Sequence, residues 1–206
     1  MTAAAVDDAW QETCLIAISA QGQSDVQFAA LTETVDFDIG DKDIEGVPLV
    51  NGGRVSKWTP EADSTVTFEA YPLQVGTLSG VTTGTGFYDL MHSVDSVVPL
   101  KITNDRNRDK YRVLALWTND SSVVSGQSAT TNTYSAVRIG LADGNFTSVK
   151  PSFTDGILKY TVMFKCPAFD KSGTSNVMQE SCAGSGATDI LSGVAAYTSS
   201  AKFDAS

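Results

Sequence analysis

A period-two alternation of apolar and polar residues constrains this chain more than any other feature. Over residues 32–39, apolar Val35 and Phe37 alternate with acidic Asp36 and Asp38. Successive side chains of a β-strand point to opposite faces, so this pattern predicts a strand with one buried face and one solvated face. The acidic residues fall on the solvated face.

A second run with the same period predicts the partner of the first. Residues 63–71 alternate in the same way, and Pro72 ends the run because proline has no amide proton for a ladder. Between the two runs lies Asn51-Gly52-Gly53, a turn signal. We therefore predict a long β-hairpin over residues 32–71.

Further strands are predicted where apolar or alternating runs are separated by glycine-containing turns. Turns are predicted at Asp143-Gly144-Asn145 and at Asp155-Gly156. The strands predicted around them and before them are 111–118, 134–142, 147–153 and 157–166. Consecutive strands at short spacing indicate an antiparallel sandwich or barrel. The side chains expected in its core include Phe68, Trp117, Ile139 and Phe164.

Helical signals are few, and the length favours one domain. Apolar residues recur at spacings of three and four over residues 86–94, which predicts one short helix packed on the sheet. The chain has 206 residues, so a single domain over 1–206 is expected. Stretches rich in Gly, Ser and Thr at 76–86 and 121–133 predict long loops, and small polar residues predict a flexible segment from about Ser172.

The charge balance restricts the partners. Asp and Glu number 24 against 14 Lys and Arg, giving a formal net charge of −10. That excess argues against tight binding to nucleic acid, which needs basic residues to neutralise phosphates. No apolar run is long enough for a membrane-spanning helix. Residues 1–10 lack basic residues and contain Asp7 and Asp8, so no secretory signal is expected and the protein should stay in the cytoplasm unless it leaves within a particle.

Catalytic signatures are missing from the sequence. Its single histidine is His92, and no nucleophile elbow, zinc-protease or phosphate-loop motif occurs. We therefore expect neither enzymatic activity nor a cofactor. The cysteines Cys14, Cys166 and Cys182 lack metal-site spacing and are expected to be reduced, with a Cys166–Cys182 disulfide as the alternative.

One acidic run leaves several readings open. It comprises Asp36, Asp38, Asp41, Asp43 and Glu45. Alternating oxygen ligands could bind calcium, but the loop glycine and the terminal bidentate glutamate are missing. Paired carboxylates could also serve sugar hydrolysis. The interpretation that the pattern favours is a solvated face of the hairpin.

A basic cluster at Arg106, Arg108, Lys110 and Arg112 is interleaved with Asp105 and Asp109. This mixture of signs is typical of an exposed loop. It could be a nucleic-acid patch, a merely solvated loop, or one side of a charge-complementary protein contact. We keep Arg106, Arg108 and Lys110 as candidates for contact between subunits.

Three stretches carry a resemblance to a known family. They are GGRVSKWTP at 52–60, VTFEAYP at 66–72 and KYTVMFKCPAFDKSG at 159–173. The first two resemble the central hairpin of major tail tube proteins from long-tailed (siphovirus-like) viruses of bacteria or archaea. The third resembles the strand that closes such a domain.

The resemblance implies a structural role in a virion tail. Such proteins form hexameric rings that stack into a hollow tube, with two hairpins per subunit in the inner barrel and a helix outside. The partners implied are further copies of the chain, the tape measure, tail terminator and distal tail proteins, and double-stranded DNA that passes without tight binding. No membrane is implied, and synthesis would occur in the host cytoplasm. Asp36, Asp38 and Glu69 would then face the lumen, where their charge would repel phosphates.

Other classes remain as alternatives. One is another structural, decoration or injection-tube component of a virion. A second is a carbohydrate-binding β-sandwich in which Trp10, Trp58 and Trp117 form a platform for sugars. The third is a small hydrolase that uses a pair of acidic residues, and no motif in the sequence supports that class.

Overall fold

The computed structural model describes residues 13–22, 26–71, 108–118, 135–183 and 202–203. Its strands are β1 (Thr13–Ala20), β2 (Val26–Asp38), β3 (Ile44–Pro48), β4 (Arg54–Trp58), β5 (Ser64–Ala70), β6 (Tyr111–Thr118), β7 (Ser135–Thr154), β8 (Ile157–Cys166) and β9 (Val177–Ala183). The mostly β class predicted from the sequence is confirmed. The predicted helix at 86–94 and the predicted loops at 76–86 and 121–133 lie outside the described residues.

Most of these strands belong to one curled antiparallel sheet. Seven strands lie in the order β6-β1-β2-β5-β8-β7-β9, and β6 also pairs with β7, so the sheet curls back on itself. Strands β3 and β4 form a separate two-stranded sheet. In the part of the chain that the structure describes, no helix is present that could cross a bilayer.

The long hairpin predicted over residues 32–71 is formed by β2 and β5. Asp36 lies opposite Thr67, and Asp38 lies opposite Thr65. The chain between them makes the smaller β3–β4 hairpin, whose turn contains Gly52 at a φ of 81°. Glycine adopts this left-handed conformation without steric cost, which explains the turn signal in the sequence.

One predicted turn is wrong, because β7 continues through Asp143-Gly144-Asn145. The strand bends there instead: Asp143 has a φ of 54°, and the pairing register shifts between Phe146 and Ser148. The residues before the bend pair with β6 and β9, and those after it pair with β8. Turn-forming residues thus produce an irregularity that lets one strand serve two regions of the sheet.

The core lies inside the curl. Its buried members are Ile16, Ile18, Ala20, Val66, Phe68, Ala70, Tyr111, Val113, Ala115, Leu141, Phe146, Val149, Val162, Phe164 and Cys166. Burial of Phe68 and Phe164 was predicted correctly. Trp117 and Ile139 are only partly buried, because they pack against this core from its margin.

A second buried layer lies on the other face of β1 and β6. Arg112 is almost completely buried there; its Nε donates to Ser19 Oγ at 3.2 Å and its NH1 donates to the Lys202 carbonyl at 3.0 Å. Phe203 packs against Ala17 and Leu114. Residues 202–203 therefore return to the sheet and cover this face.

The segment from about Ser172, for which the sequence predicts flexibility, begins with regular structure. Residues 170–174 form a turn, and β9 follows and pairs with β7. Residues 184–201 lie outside the described residues. Cys166 is a free, buried thiol, which excludes the alternative of a Cys166–Cys182 disulfide. Burial, with smaller contributions from the charges of Asp63 and Asp143, raises the pKa of this thiol to about 12.

Candidate assembly interface

Four neighbouring strands present a polar face to solvent. In residues 34–38 of β2, in β5, in β8 and in the second half of β7, one set of side chains enters the core and the alternate set points away from it. Val149 opposite Val162 belongs to the core set, and Lys150 opposite Thr161 belongs to the outer set. The outer set is called the polar face below.

The three residues expected to line a lumen all lie on the polar face. Asp36 and Asp38 are exposed on β2, and Glu69 is half-buried on β5. The Thr161 hydroxyl, on β8, donates to Glu69 Oε1 at 3.5 Å. The structure therefore brings these acids to one surface.

The same face also carries lysines that the sequence reasoning missed. Lys159 and Lys165 lie on β8, and Lys150 lies on β7. Lys165 Nζ is 3.1 Å from Asp63 Oδ2, and both side chains are about half exposed, at 47% and 52%. The polar face is thus mixed in charge, with its acids toward β2 and its lysines toward β7. The period-two pattern of β8 places Lys159 and Lys165 on the same face of that strand. The sequence alone does not show which strands lie beside β8, so it does not place these lysines next to the acids.

Each outer strand of the polar face has an edge that no other described strand covers, which is called its open edge below. Over residues 34–38, β2 pairs with β5 on one side, and no strand of the described residues pairs on the other. Over residues 145–154, β7 pairs with β8 on one side, and again no described strand lies beyond it. Such edges expose unpaired backbone groups, which readily pair with another chain.

The directions of these edges suit one another. Each neighbouring pair in the order β2-β5-β8-β7 is antiparallel, so β7 runs opposite to β2. A β7 edge from one copy and a β2 edge from another could therefore continue the alternation as an antiparallel ladder.

The β3–β4 hairpin exposes apolar side chains on both of its faces. Ile44 lies opposite Trp58 on one face, and Val47 lies opposite Val55 on the other. The exposed fraction is 58% for Trp58 and 50% for Val55. A two-stranded hairpin alone is marginally stable in water, so burial against another surface would favour it strongly.

The acidic run continues into the base of this hairpin. Asp43 Oδ1 accepts from the Ile44 amide at 2.7 Å, and the Asp43 amide donates to Thr59 Oγ1 at 2.8 Å. Asp41 and Glu45 are exposed. Among the described residues, no group of three or more acidic, histidine or cysteine side chains could hold a metal ion.

The tip of the β7–β8 hairpin is a second exposed apolar surface. Asp155 and Gly156 both have positive φ, at 55° and 77°, which confirms the predicted turn. Phe153 lies opposite Leu158 beside this turn, and its side chain is 74% exposed. The tip therefore offers an aromatic side chain to a partner.

The basic loop is only partly described. Arg106 lies outside the described residues, and Arg108 is exposed. Lys110 Nζ donates to Asn145 Oδ1 at 3.0 Å, and Asn145 Nδ2 donates to the Asp109 carbonyl at 2.8 Å. Lys110 thus makes a contact within the subunit, beside the point where the open edge of β7 begins.

The tryptophans expected to form a platform for sugars have different environments. Trp10 lies outside the described residues. Trp117 packs edge-to-face on Phe37, with ring centroids 5.5 Å apart, at the margin of the core. Trp58 lies on the separate β3–β4 hairpin. Trp117 is therefore used in packing.

No family model and no curated protein matches the sequence. Among solved structures, the chain is similar to a chain of the extended sheath–tube complex of an extracellular contractile injection system, with 13% identity, a TM-score of 0.46 and coverage of 81% of this chain and 88% of that chain. It is similar to the tube-terminating cap of the anti-feeding prophage, with 10% identity and a TM-score of 0.46; the match covers 88% of this chain and 100% of that chain. It is also similar to an Hcp protein, with 9% identity and a TM-score of 0.36; the match covers 84% of this chain and 99% of that chain.

Proposed function

We propose that this chain is a structural subunit that closes edge to edge into rings, which stack into the tube of a virus tail. The observation that supports this proposal is the polar face with its two open edges. One side of that four-stranded unit is sealed by a core, and its outer strands run in opposite directions. Copies placed side by side would therefore form one continuous antiparallel barrel.

A ring requires a contact of the kind that these two edges offer. The β2 edge and the β7 edge are different surfaces, so their contact is heterologous, and heterologous contacts form a ring when the rotation between copies closes. A closed barrel leaves no exposed edge, which removes the hazard that open edges create. The resemblance noted in the sequence suggests six copies per ring.

Stacking of the rings is assigned to the exposed apolar hairpins. Trp58 and Val55 on the β3–β4 hairpin, and Phe153 at the β7–β8 tip, would be buried against a copy in the next ring. Burial removes apolar surface from water at about 25 cal/mol per Å². Every subunit of a ring makes the same contact, so the stabilising free energy per subunit is multiplied by the number of subunits in the ring.

The polar face would then line a channel for double-stranded DNA. Asp36, Asp38 and Glu69 would oppose binding of phosphates, and Lys165 is already paired with Asp63. A mixed surface of this kind lets DNA pass without holding it. In this role the protein has no catalytic function, and its further partners are the tape measure, tail terminator and distal tail proteins of the virion.

Electron microscopy of the purified full-length chain tests the proposal. We expect rings or tubes at high protein concentration, with sedimentation velocity giving the number of copies. Trp58→Ser and Val55→Ser should shorten tubes and leave the monomer folded, whereas Ser56→Ala on the same hairpin should behave as wild type. A wild-type protein that stays monomeric under all conditions, including together with tail-initiation proteins, would refute the proposal.

A further inference from the structure

We propose that Lys150 on the β7 edge forms an ion pair with Asp36 on the β2 edge of the neighbouring copy. The inference rests on the proposed ring and names the side chains that set its register. Asp36, Asp38 and Lys150 are all exposed on the polar face. Within the described residues, none of the three takes part in an ion pair.

Charge is distributed unevenly across the polar face. Asp36 and Asp38 lie on β2, the strand at one open edge, and Lys150 lies on β7, the strand at the other. Within one copy, β5 and β8 separate these strands, so the opposite charges are about three strand spacings, or ~14 Å, apart. A head-to-tail contact places the acidic edge of one copy against the basic residue of the next. The two edges are complementary only in that arrangement.

The register inside one copy indicates which residues meet. Lys150 lies opposite Thr161, and Thr161 lies opposite Glu69, which is next to the pair formed by Phe68 and Val35. Residues paired in this way form a row that runs across the strands. If the β2 strand of the next copy continues these rows without a shift in register, Lys150 and Asp36 are diagonal neighbours. Diagonal residues on adjacent strands are about 7–8 Å apart, within reach of a long side chain.

A shift in register between β7 of one copy and β2 of the next would change which residues lie opposite Lys150. Strands of a barrel tilt, so their register shifts around the ring. A shift of two residues in one direction brings Lys150 directly opposite Asp36, and a shift of four brings it opposite Asp38. A shift in the other direction would separate the charges. The ion pair therefore distinguishes between the two possible directions of stagger.

A charge exchange tests the pairing in the full-length protein. Lys150→Glu, and separately Asp36→Lys, should raise the protein concentration needed for assembly by about fivefold, because each change replaces an attraction with a repulsion at every interface. Combining Lys150→Glu with Asp36→Lys should return that concentration to near the wild-type value. Lys171→Glu is the matched control, because it has the same charge change on an exposed turn that lies outside the polar face.

Sedimentation separates this inference from the proposed function. The concentration needed for assembly is measured in 50 mM and 500 mM NaCl, and thermal unfolding establishes that every variant is folded. The defect of each single variant should shrink at the higher salt, where charges are screened. Wild-type assembly with no defect in Lys150→Glu, or with no rescue in the exchanged pair, would overturn the ion pair and leave the tube intact. Absence of wild-type assembly would overturn both.

Discussion

Lys202 Nζ donates a hydrogen bond to Asp170 Oδ2 at 2.5 Å, joining the carboxy-terminal end of the described chain to the turn before β9. The same ammonium group donates to Asn176 Oδ1 at 2.6 Å and lies 3.3 Å from Asp143 Oδ2. The Lys202 side chain is only 9% exposed. Asp143 is the residue at the bend of β7, so one buried ammonium connects the bend, the turn and residues 202–203.

Loss of this ammonium group should destabilise the fold. Lys202→Met keeps most of the apolar stem and removes the charge, which leaves two carboxylates without their shared donor. We expect a loss of about 2 kcal/mol, the usual range for hydrogen bonds to charged groups. Urea denaturation measures the change, and Lys171→Met, on an exposed neighbouring lysine, should leave the midpoint unchanged. Equal midpoints for the two variants would contradict this account.

The contribution of Asp170 should depend on pH. The hydrogen bond from Lys202 is the main cause that lowers the pKa of Asp170 from 3.8 to about 2, and the amides of Thr174 and Ser172 act in the same direction. A lowered pKa in the folded state stabilises the protein above the unfolded value and loses that effect as pH falls through the folded value. The stability difference between wild type and Asp170→Asn should therefore be constant above about pH 5 and shrink toward pH 2. A difference that grows on acidification would show the opposite sign and refute the assignment.

Truncation of the aromatic core should separate buried from marginal positions. Phe164 is fully buried and packs against Phe146, with ring centroids 5.2 Å apart. Phe164→Ala should cost about 3–5 kcal/mol, whereas the partly buried Trp117 should cost less when replaced by Ala. Asp41→Ala, at an exposed site, is the control and should be nearly neutral. Denaturant midpoints rank the three variants, and a Trp117→Ala loss above that of Phe164→Ala would contradict the packing.

Strand positions could be predicted from the sequence wherever a single run of residues carried the whole pattern. Residues 111–118 and 157–166 were predicted as strands, and β6 and β8 have those bounds. The turn predicted at Asp143-Gly144-Asn145 is wrong because residues of these types indicate only that the backbone leaves regular strand geometry. They do not indicate whether the chain reverses direction in a turn or continues as a bent strand. That outcome depends on which strand lies alongside, and β8 contributes Phe164 and Lys165 at this point. Long-range pairing also decided that Lys150 shares a face with Asp36, which no local pattern contains.

Gly144 should resist substitution because of this close approach. A Cβ at position 144 would overlap Phe164 Cζ and would lie 2.5 Å from the Lys165 carbonyl oxygen. Gly144→Ala should therefore force β7 and β8 apart and cost about 1–3 kcal/mol, the range for overpacked sites. Gly46→Ala is the matched control, because its nearest contact is at 3.7 Å, an ordinary van der Waals distance. Thermal unfolding of the pair measures the difference, and equal midpoints would show that the bend relaxes freely.

The last prediction concerns the charge of the proposed channel. Glu69 lies on β5, away from both open edges, so Glu69→Lys changes the charge of the polar face without altering the proposed Lys150–Asp36 contact between copies. We expect assembly at the wild-type protein concentration, together with new retention of short duplex DNA by the tubes in 50 mM NaCl. Retention should disappear at 500 mM NaCl, because binding to phosphates releases counterions and weakens with salt. Glu61→Lys makes the same charge change in the exposed loop before β5, and co-sedimentation of labelled duplex compares the two variants directly. Equal retention by both would mean that the polar face does not contact DNA, and no retention by Glu69→Lys tubes would mean that a single acid per copy does not control its passage.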